Sequence, residues 1–462
     1  MKTNKLAMLC GLALSMAALS ACGGSNKKET ISVWVGDDST DFYQEKCNEF
    51  IENNPDFPYD IKVSGTDLGT IAGTILQDAS AAADIYSVAH DNLGKLAQAN
   101  NAKPLTDPEL IAQIEKDNND SFIRVSKSVV NEKEDYYGAP YISQALFLMY
   151  DKRYVSDEQA KTFEGLAEAA KSAGEKVKGV EAVGADGYNF SFPLLARDNA
   201  TKTSTLKIYE NGTVKDGTFC QGDDEVAFLK WAQRYYADPN GLGFPTDATW
   251  PLDVQNHNAL SIIGGSWHYN AFADAVGSTN VGLAMIPTFT LTSADAFEDA
   301  VEGSVYRGGT FADCKVMMIN SNSAGAKYKY EQQIIKYLSS VEIQKQSFAK
   351  AYNVPSYKTF MDDLAEIQAA YPDMDPNVSG IASVQGQMAA YGIAQPFVTS
   401  KLNNYYYQAG APDKYKEAVQ NKDSSYDTRK IQETLYTMQY IWQNGKEPVE
   451  IPADLPVENT RQ

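Results

Sequence analysis

The chain is poor in histidine, poor in cysteine and has no excess of positive charge, and each shortage excludes a class of function. Three histidines, His90, His257 and His268, are scattered over 462 residues, so a histidine-based metal site would need carboxylates to complete it. Five cysteines contain no C-x-x-C pair, which removes the usual zinc and dithiol redox motifs. Forty basic residues face 60 acidic ones, a net charge of −20, and such a surface repels nucleic acid phosphates and anionic lipid headgroups. G-x-x-x-x-G-K-[ST], G-x-G-x-x-G, H-E-x-x-H and G-x-S-x-G are all missing, so phosphate cradles, zincin sites and nucleophile elbows lack support. No catalytic residue, metal site or cofactor is expected.

What is present begins at the N-terminus. Lys2 and Lys5 precede an apolar stretch from Leu6 to Leu19, followed by Leu19-Ser20-Ala21-Cys22. A membrane span needs about 20 apolar residues, so this shorter run reads as a signal peptide over residues 1–21. It resembles the bacterial lipobox, which implies lipidation at Cys22, palmitate included, and an exported protein held at the outer face of the cytoplasmic membrane. Residues 22–29 are polar and Gly-rich and read as the lipidated Cys with its flexible tether. Cys47, Cys220 and Cys314 remain, and burial as small apolar side chains is expected for each.

The folded part alternates strands with helices. Ile31, Val33 and Val35 have the period of a strand, Ile61 and Val63 make a second, and Asp84 to Val88 a third. Between the last two, Thr66 is the expected cap of a helix bearing Leu68, Ile71, Ile75 and Leu76 on one face. This order predicts an α/β fold with a largely parallel sheet. Strands at 146–150, 260–263, 281–286 and 316–319 predict a second α/β lobe, and Ile431, Leu435, Met438 and Trp442 have helical spacing. In open α/β sheets ligands sit beyond the carboxyl ends of strands, which points to 36–39 and 89–92.

Five segments carry a family resemblance: ISVWVGDD from Ile31, ADIYSVAHD from Ala83, YGAPYISQALFLMY from Tyr137, LSIIGGSW from Leu260 and VGLAMIPTF from Val281. In order and spacing they resemble the maltose and maltodextrin-binding branch of the family 1 extracellular solute-binding proteins, the receptors of ABC importers. The resemblance implies a periplasmic-binding-protein-like fold, two α/β lobes with a cleft between them and several hinge crossings. It divides the chain into lobe one at 30–144 plus 308–354 and lobe two at 145–307 plus 355–462. The implied function is capture of maltose or malto-oligosaccharides for a permease, without turnover, by a protein that is monomeric and touches the membrane only through its lipid.

Sugar chemistry fits the positions the resemblance supplies. A glucose unit has an apolar C–H face and a rim of hydroxyls, so its site needs aromatic platforms together with carboxylates or amides. The resemblance places Asp37 and Asp38, Asp91 and Asn92, and Gln144 on the polar side. It places Trp267, Tyr269, Tyr405 and either Tyr188 or Phe190 on the aromatic side, with Trp250 nearby. Loop capping is the competing role for Asp38, Asp91 and Asn92, and core packing for the aromatics. Two departures from the family stand out: Gln144 replaces a glutamate and Ser39 replaces a frequent lysine. Stacking rings do not report linkage, so a xylo- or galacto-oligosaccharide receptor is the alternative. A lipid-anchored glycoside hydrolase would need two carboxylates at a fixed spacing, and an adhesin would need no cleft.

Overall fold

The computed structural model describes residues 28–183, 189–206, 209–210, 213–214, 220–393, 410–421 and 427–455. Its first sheet has six strands. Tyr59–Thr66, Glu29–Gly36 and Ile85–Ala89 run parallel, and Asp313–Asn320 lies antiparallel beside Ile85–Ala89. Ala139–Gln144 and Ala102–Lys103 both pair with Asp313–Asn320. The alternation read from sequence becomes burial, because Ile31, Val33 and Val35 are fully enclosed beneath the helix Thr40–Asn53. On the opposite face Tyr86, Val88, Cys314 and Val316 pack with Leu93 and Leu96. Both faces are covered, as parallel strands require.

The second sheet has five strands in the order Leu242–Gly243, Val180–Ala182, Ser261–Gly264, Phe147–Asp151 and Val281–Ala284. Its core is the larger one, built on Phe163, Trp231, Phe289 and Tyr306 and joined by Leu435, Met438 and Trp442 of the C-terminal helix Thr428–Asn444. Cys47, Cys220 and Cys314 are buried. Among the described residues no helix is long and apolar enough to cross a membrane.

The chain passes between the sheets at three places that lie side by side. Gln144 ends a strand of the first sheet and Phe147 begins one of the second. Arg307 ends a short strand of the second lobe, and Asp313 re-enters the first sheet. The third passage, at 353–356, hydrogen bonds to the first passage through Ser143 N and Val354 O at 2.7 Å. Leu146 N donates to Thr310 Oγ1 at 2.9 Å, tying the first passage to the second. Gly309 belongs here because an added Cβ would stand 1.7 Å from the Leu195 carbonyl oxygen.

One local expectation fails. Thr66 is the last residue of its strand, and the helix starts at Ile71 after Thr70. Register with Gly36 extends the strand through Thr66, and this pairing outweighs the weaker pull of a capping side chain.

Candidate cleft at the crossings

Three segments end on the same edge of the first sheet. The strand Glu29–Gly36 runs into Asp37 and Asp38, the strand Ile85–Ala89 runs into His90, Asp91 and Asn92, and the antiparallel strand enters at Asp313 with Lys315 opposite Ala89. Gln144 pairs with Asp313 on the same edge. In the second sheet Gly264 pairs with Phe147, immediately after the first crossing, and leads into Trp267. The carboxyl ends of parallel strands thus meet the hinge from both sides, where an α/β protein places its ligand.

The two adjacent aspartates have separate surroundings. Asp37 is exposed and its carboxylate lies over the edge strand, where a Cβ on Gly65 would stand 2.4 Å from Asp37 Oδ1. Asp38 is also exposed and accepts a 2.8 Å hydrogen bond from Ser39 Oγ. Its charge reaches Tyr43 and Tyr141 below it. Those rings meet edge to face at 5.8 Å, and their hydroxyls pair with Ser347 and Ser87 at 3.3 and 2.6 Å.

Asp91 is nearly enclosed, at 5% exposure. Burial is the main cause pushing its carboxyl up to about 7; the charge of Asp313 adds to this, and His90 opposes it. Asn92 Nδ2 donates to Asp91 Oδ1 at 3.1 Å, and Asn92 stands at the N-cap of the helix Leu93–Gln98 with no side-chain cap hydrogen bond. Behind them His90 Nδ1 accepts from Cys314 N at 3.3 Å and lies 3.8 Å from Asp313 Oδ1. His90 therefore orients the loop. Gln144 is half-buried at the crossing itself.

On the second edge Trp267 is half-buried and its indole lies across the preceding loop, where a Cβ on Gly265 would come within 2.1 Å of the ring. His268 sits behind it at 5.4 Å, with Trp250 edge-on at 5.6 Å. Burial holds His268 down at about 4, so it stays neutral. Tyr269 departs from expectation. It is 1% exposed, donates to Asp375 Oδ2 at 2.7 Å, accepts from Asn377 Nδ2 at 2.9 Å and packs on Tyr352 at 5.6 Å beside the third crossing. Its ring offers no face to a ligand and braces the wall that carries Trp267. Trp250 and Phe190 are likewise buried. Tyr188, Tyr405 and Cys22 lie outside the described residues.

Sequence reasoning missed Lys315. The only signal was a lysine two residues after Asp313 in a strand that continues as Val-Met-Met-Ile. A cavity of about 880 Å³ opens elsewhere, between the helices Thr40–Asn53, Pro108–Asp117 and Gly325–Leu338. Its Gln332 and Gln113 are already hydrogen bonded within the fold, and Lys336 pairs with Glu109 across it. The strand edges, not this cavity, carry the groups suited to a sugar.

Residues 45–376 match the model of the bacterial extracellular solute-binding protein family. The chain belongs to that family. A solved structure described as "with acarbose" is similar at a TM-score of 0.68 and 21% identity, covering 90% of this chain and 99% of that one. The Thermus thermophilus maltotriose binding protein bound with maltotriose follows at 0.66 and 17%, covering 89% and 98%. The maltodextrin binding protein MalE1 from L. casei BL23, without ligand, gives 0.64 and 17%, covering 90% and 100%. At these identities the likeness establishes the periplasmic-binding-protein-like fold. A sequence search of curated proteins gave no match.

Proposed function

We propose that this solute-binding protein is the receptor of a carbohydrate ABC importer and captures maltose or malto-oligosaccharides between its two lobes. The observation that carries the reading is the pairing of unlike edges at one set of crossings: carboxylates and an amide on the first sheet, a half-exposed indole on the second. A ligand satisfying both must present hydroxyls and a flat C–H face, which is what a pyranose offers. Contact with both edges binds the closed arrangement better than the open one, and that difference drives closure. The closed protein is what the permease recognises, and no bond is made or broken. The protein works as a monomer outside the cytoplasmic membrane, tethered by lipid on Cys22; these last points rest on the N-terminal sequence and the family resemblance.

The test is a thermal-shift panel of maltose, maltotriose, longer maltodextrins, xylo-oligosaccharides and galacto-oligosaccharides. A ligand at 100 times its Kd stabilises the native state by about 2.7 kcal/mol. Stabilisation by maltodextrins that emerge uncut is the expected outcome. A response to another glycan alone overturns the sugar assignment, and release of shorter products would make the protein a hydrolase.

A further inference from the structure

The lysine that sequence reasoning passed over sits where the strand edge is otherwise acidic. Lys315 lies opposite Ala89 on one side and Ile142 on the other, at the end of the strand that faces the crossings. Strand alternation puts it on the same face as Met317, which packs in the core that also holds Tyr43 and Tyr141. It is half-buried, and among the described residues its ammonium makes no side-chain hydrogen bond and no close ion pair. Burial lowers the ammonium's proton affinity, and the charge of Asp38 partly restores it.

An ammonium placed this deep without a direct hydrogen bond is unfavourable, and an apolar side chain of similar length would fill the position without that cost. Met317, two residues on, fills the equivalent next position in this way. The cost is offset if a partner arrives with the ligand. A vicinal diol supplies that partner, because one hydroxyl can accept from an ammonium while its neighbour donates to a carboxylate.

We propose that Lys315 is a ligand-contacting, specificity-determining residue of the cleft, donating from the antiparallel strand to one hydroxyl of a sugar whose neighbouring hydroxyl donates to Asp38. This rests on the carbohydrate reading above and names the residue pair that fixes the orientation of one ring. Maltotriose titrated calorimetrically into wild type, K315M, D38N and the double variant tests it. K315M is expected to keep or raise the melting temperature of the sugar-free protein while weakening maltotriose binding about tenfold or more. The double variant is expected to lose less than the product of the two single losses, since both groups hold the same diol.

A second readout does not depend on the methionine variant. In spectra of ¹³C-lysine-labelled wild type, the Lys315 ε-carbon resonance, assigned by its loss in K315R, is expected to move when maltotriose is added. Wild-type affinity within twofold in a folded K315M, or an unmoved Lys315 resonance in a sugar-saturated sample, overturns the proposal while leaving the carbohydrate reading intact. A wild type that binds no member of the glycan panel overturns both.

Discussion

The two edges that meet at the crossings use opposite chemistry. The first carries charge: Asp38 exposed, Asp91 and Asp313 buried, and Lys315 half-buried among them. The second is neutral and aromatic, with Trp267 resting over Gly265 and His268 held without charge behind it. Charged hydrogen bonds are directional and fix a hydroxyl pattern, whereas an indole face supplies area and tolerates many patterns. The first lobe should therefore set which sugar is taken and in what orientation, and the second should set how tightly. Losses on the aromatic edge ought to fall evenly on all ligands, and losses on the polar edge unevenly.

The largest expected effect is on the aromatic side. Trp267→Ala removes a stacking face and should weaken maltodextrin binding by about 2 kcal/mol, roughly 30-fold, by calorimetry. The factor should be similar for maltose and maltotriose. Full affinity in a folded variant would take Trp267 out of the site and leave the second edge without its platform. Asp38→Ala comes next, at about 1.5 kcal/mol or roughly tenfold. Its loss should vary among sugars that differ in hydroxyl configuration; an equal loss for every sugar would erase the division between edges.

Gly265→Ala gives a smaller and more pointed test. A methyl there would collide with the indole at 2.1 Å, so the ring must turn away without any change to the residue that stacks. About a fivefold loss is expected for every ligand that Trp267→Ala affects, with little change in unfolding temperature. An unaltered affinity would mean that the ring's resting position is not the one used in binding.

Much of this architecture was legible in the sequence, and what was not has a physical reason. Period-two burial made the strands at Ile31, Ile61 and Asp84 readable, because both faces of that sheet are covered and each apolar residue has a place. The crossing near Gln144 was implied by the family resemblance and not by any local pattern; in the structure a strand of the first sheet ends at Gln144 and one of the second begins at Phe147. Tyr269 was misread because a Tyr after Trp267 looks like a second platform until Asp375 and Asn377, over a hundred residues away, claim its hydroxyl. Lys315 was missed for the complementary reason. A single cation in an apolar strand has no local pattern, and its place appears only when antiparallel pairing sets it opposite Ala89, the residue before the His90–Asn92 turn.

The smallest effect separates the edges by pH. Asp91 is raised to about 7 by burial, with Asp313 adding to the shift and His90 and Lys95 opposing it. Its folded carboxyl holds a proton that the unfolded chain, at the ordinary 3.8, releases earlier. The unliganded protein should accordingly lose stability as pH rises from about 4 through 7, and Asp91→Asn should remove that part of the slope. A sugar hydroxyl that donates to Asp91 favours the ionised form, so affinity should rise a few-fold between pH 6 and 8. His268, held by burial at about 4 against an ordinary 6.5, opposes this stability slope between those two values but stays neutral from pH 6 to 8, so it does not enter the affinity slope. Trp267→Ala should therefore bind weakly but keep the pH slope, while Asp91→Asn should bind with the slope flattened. A slope that survives Asp91→Asn would move the titrating group elsewhere and deny the first edge its part in reading hydroxyls.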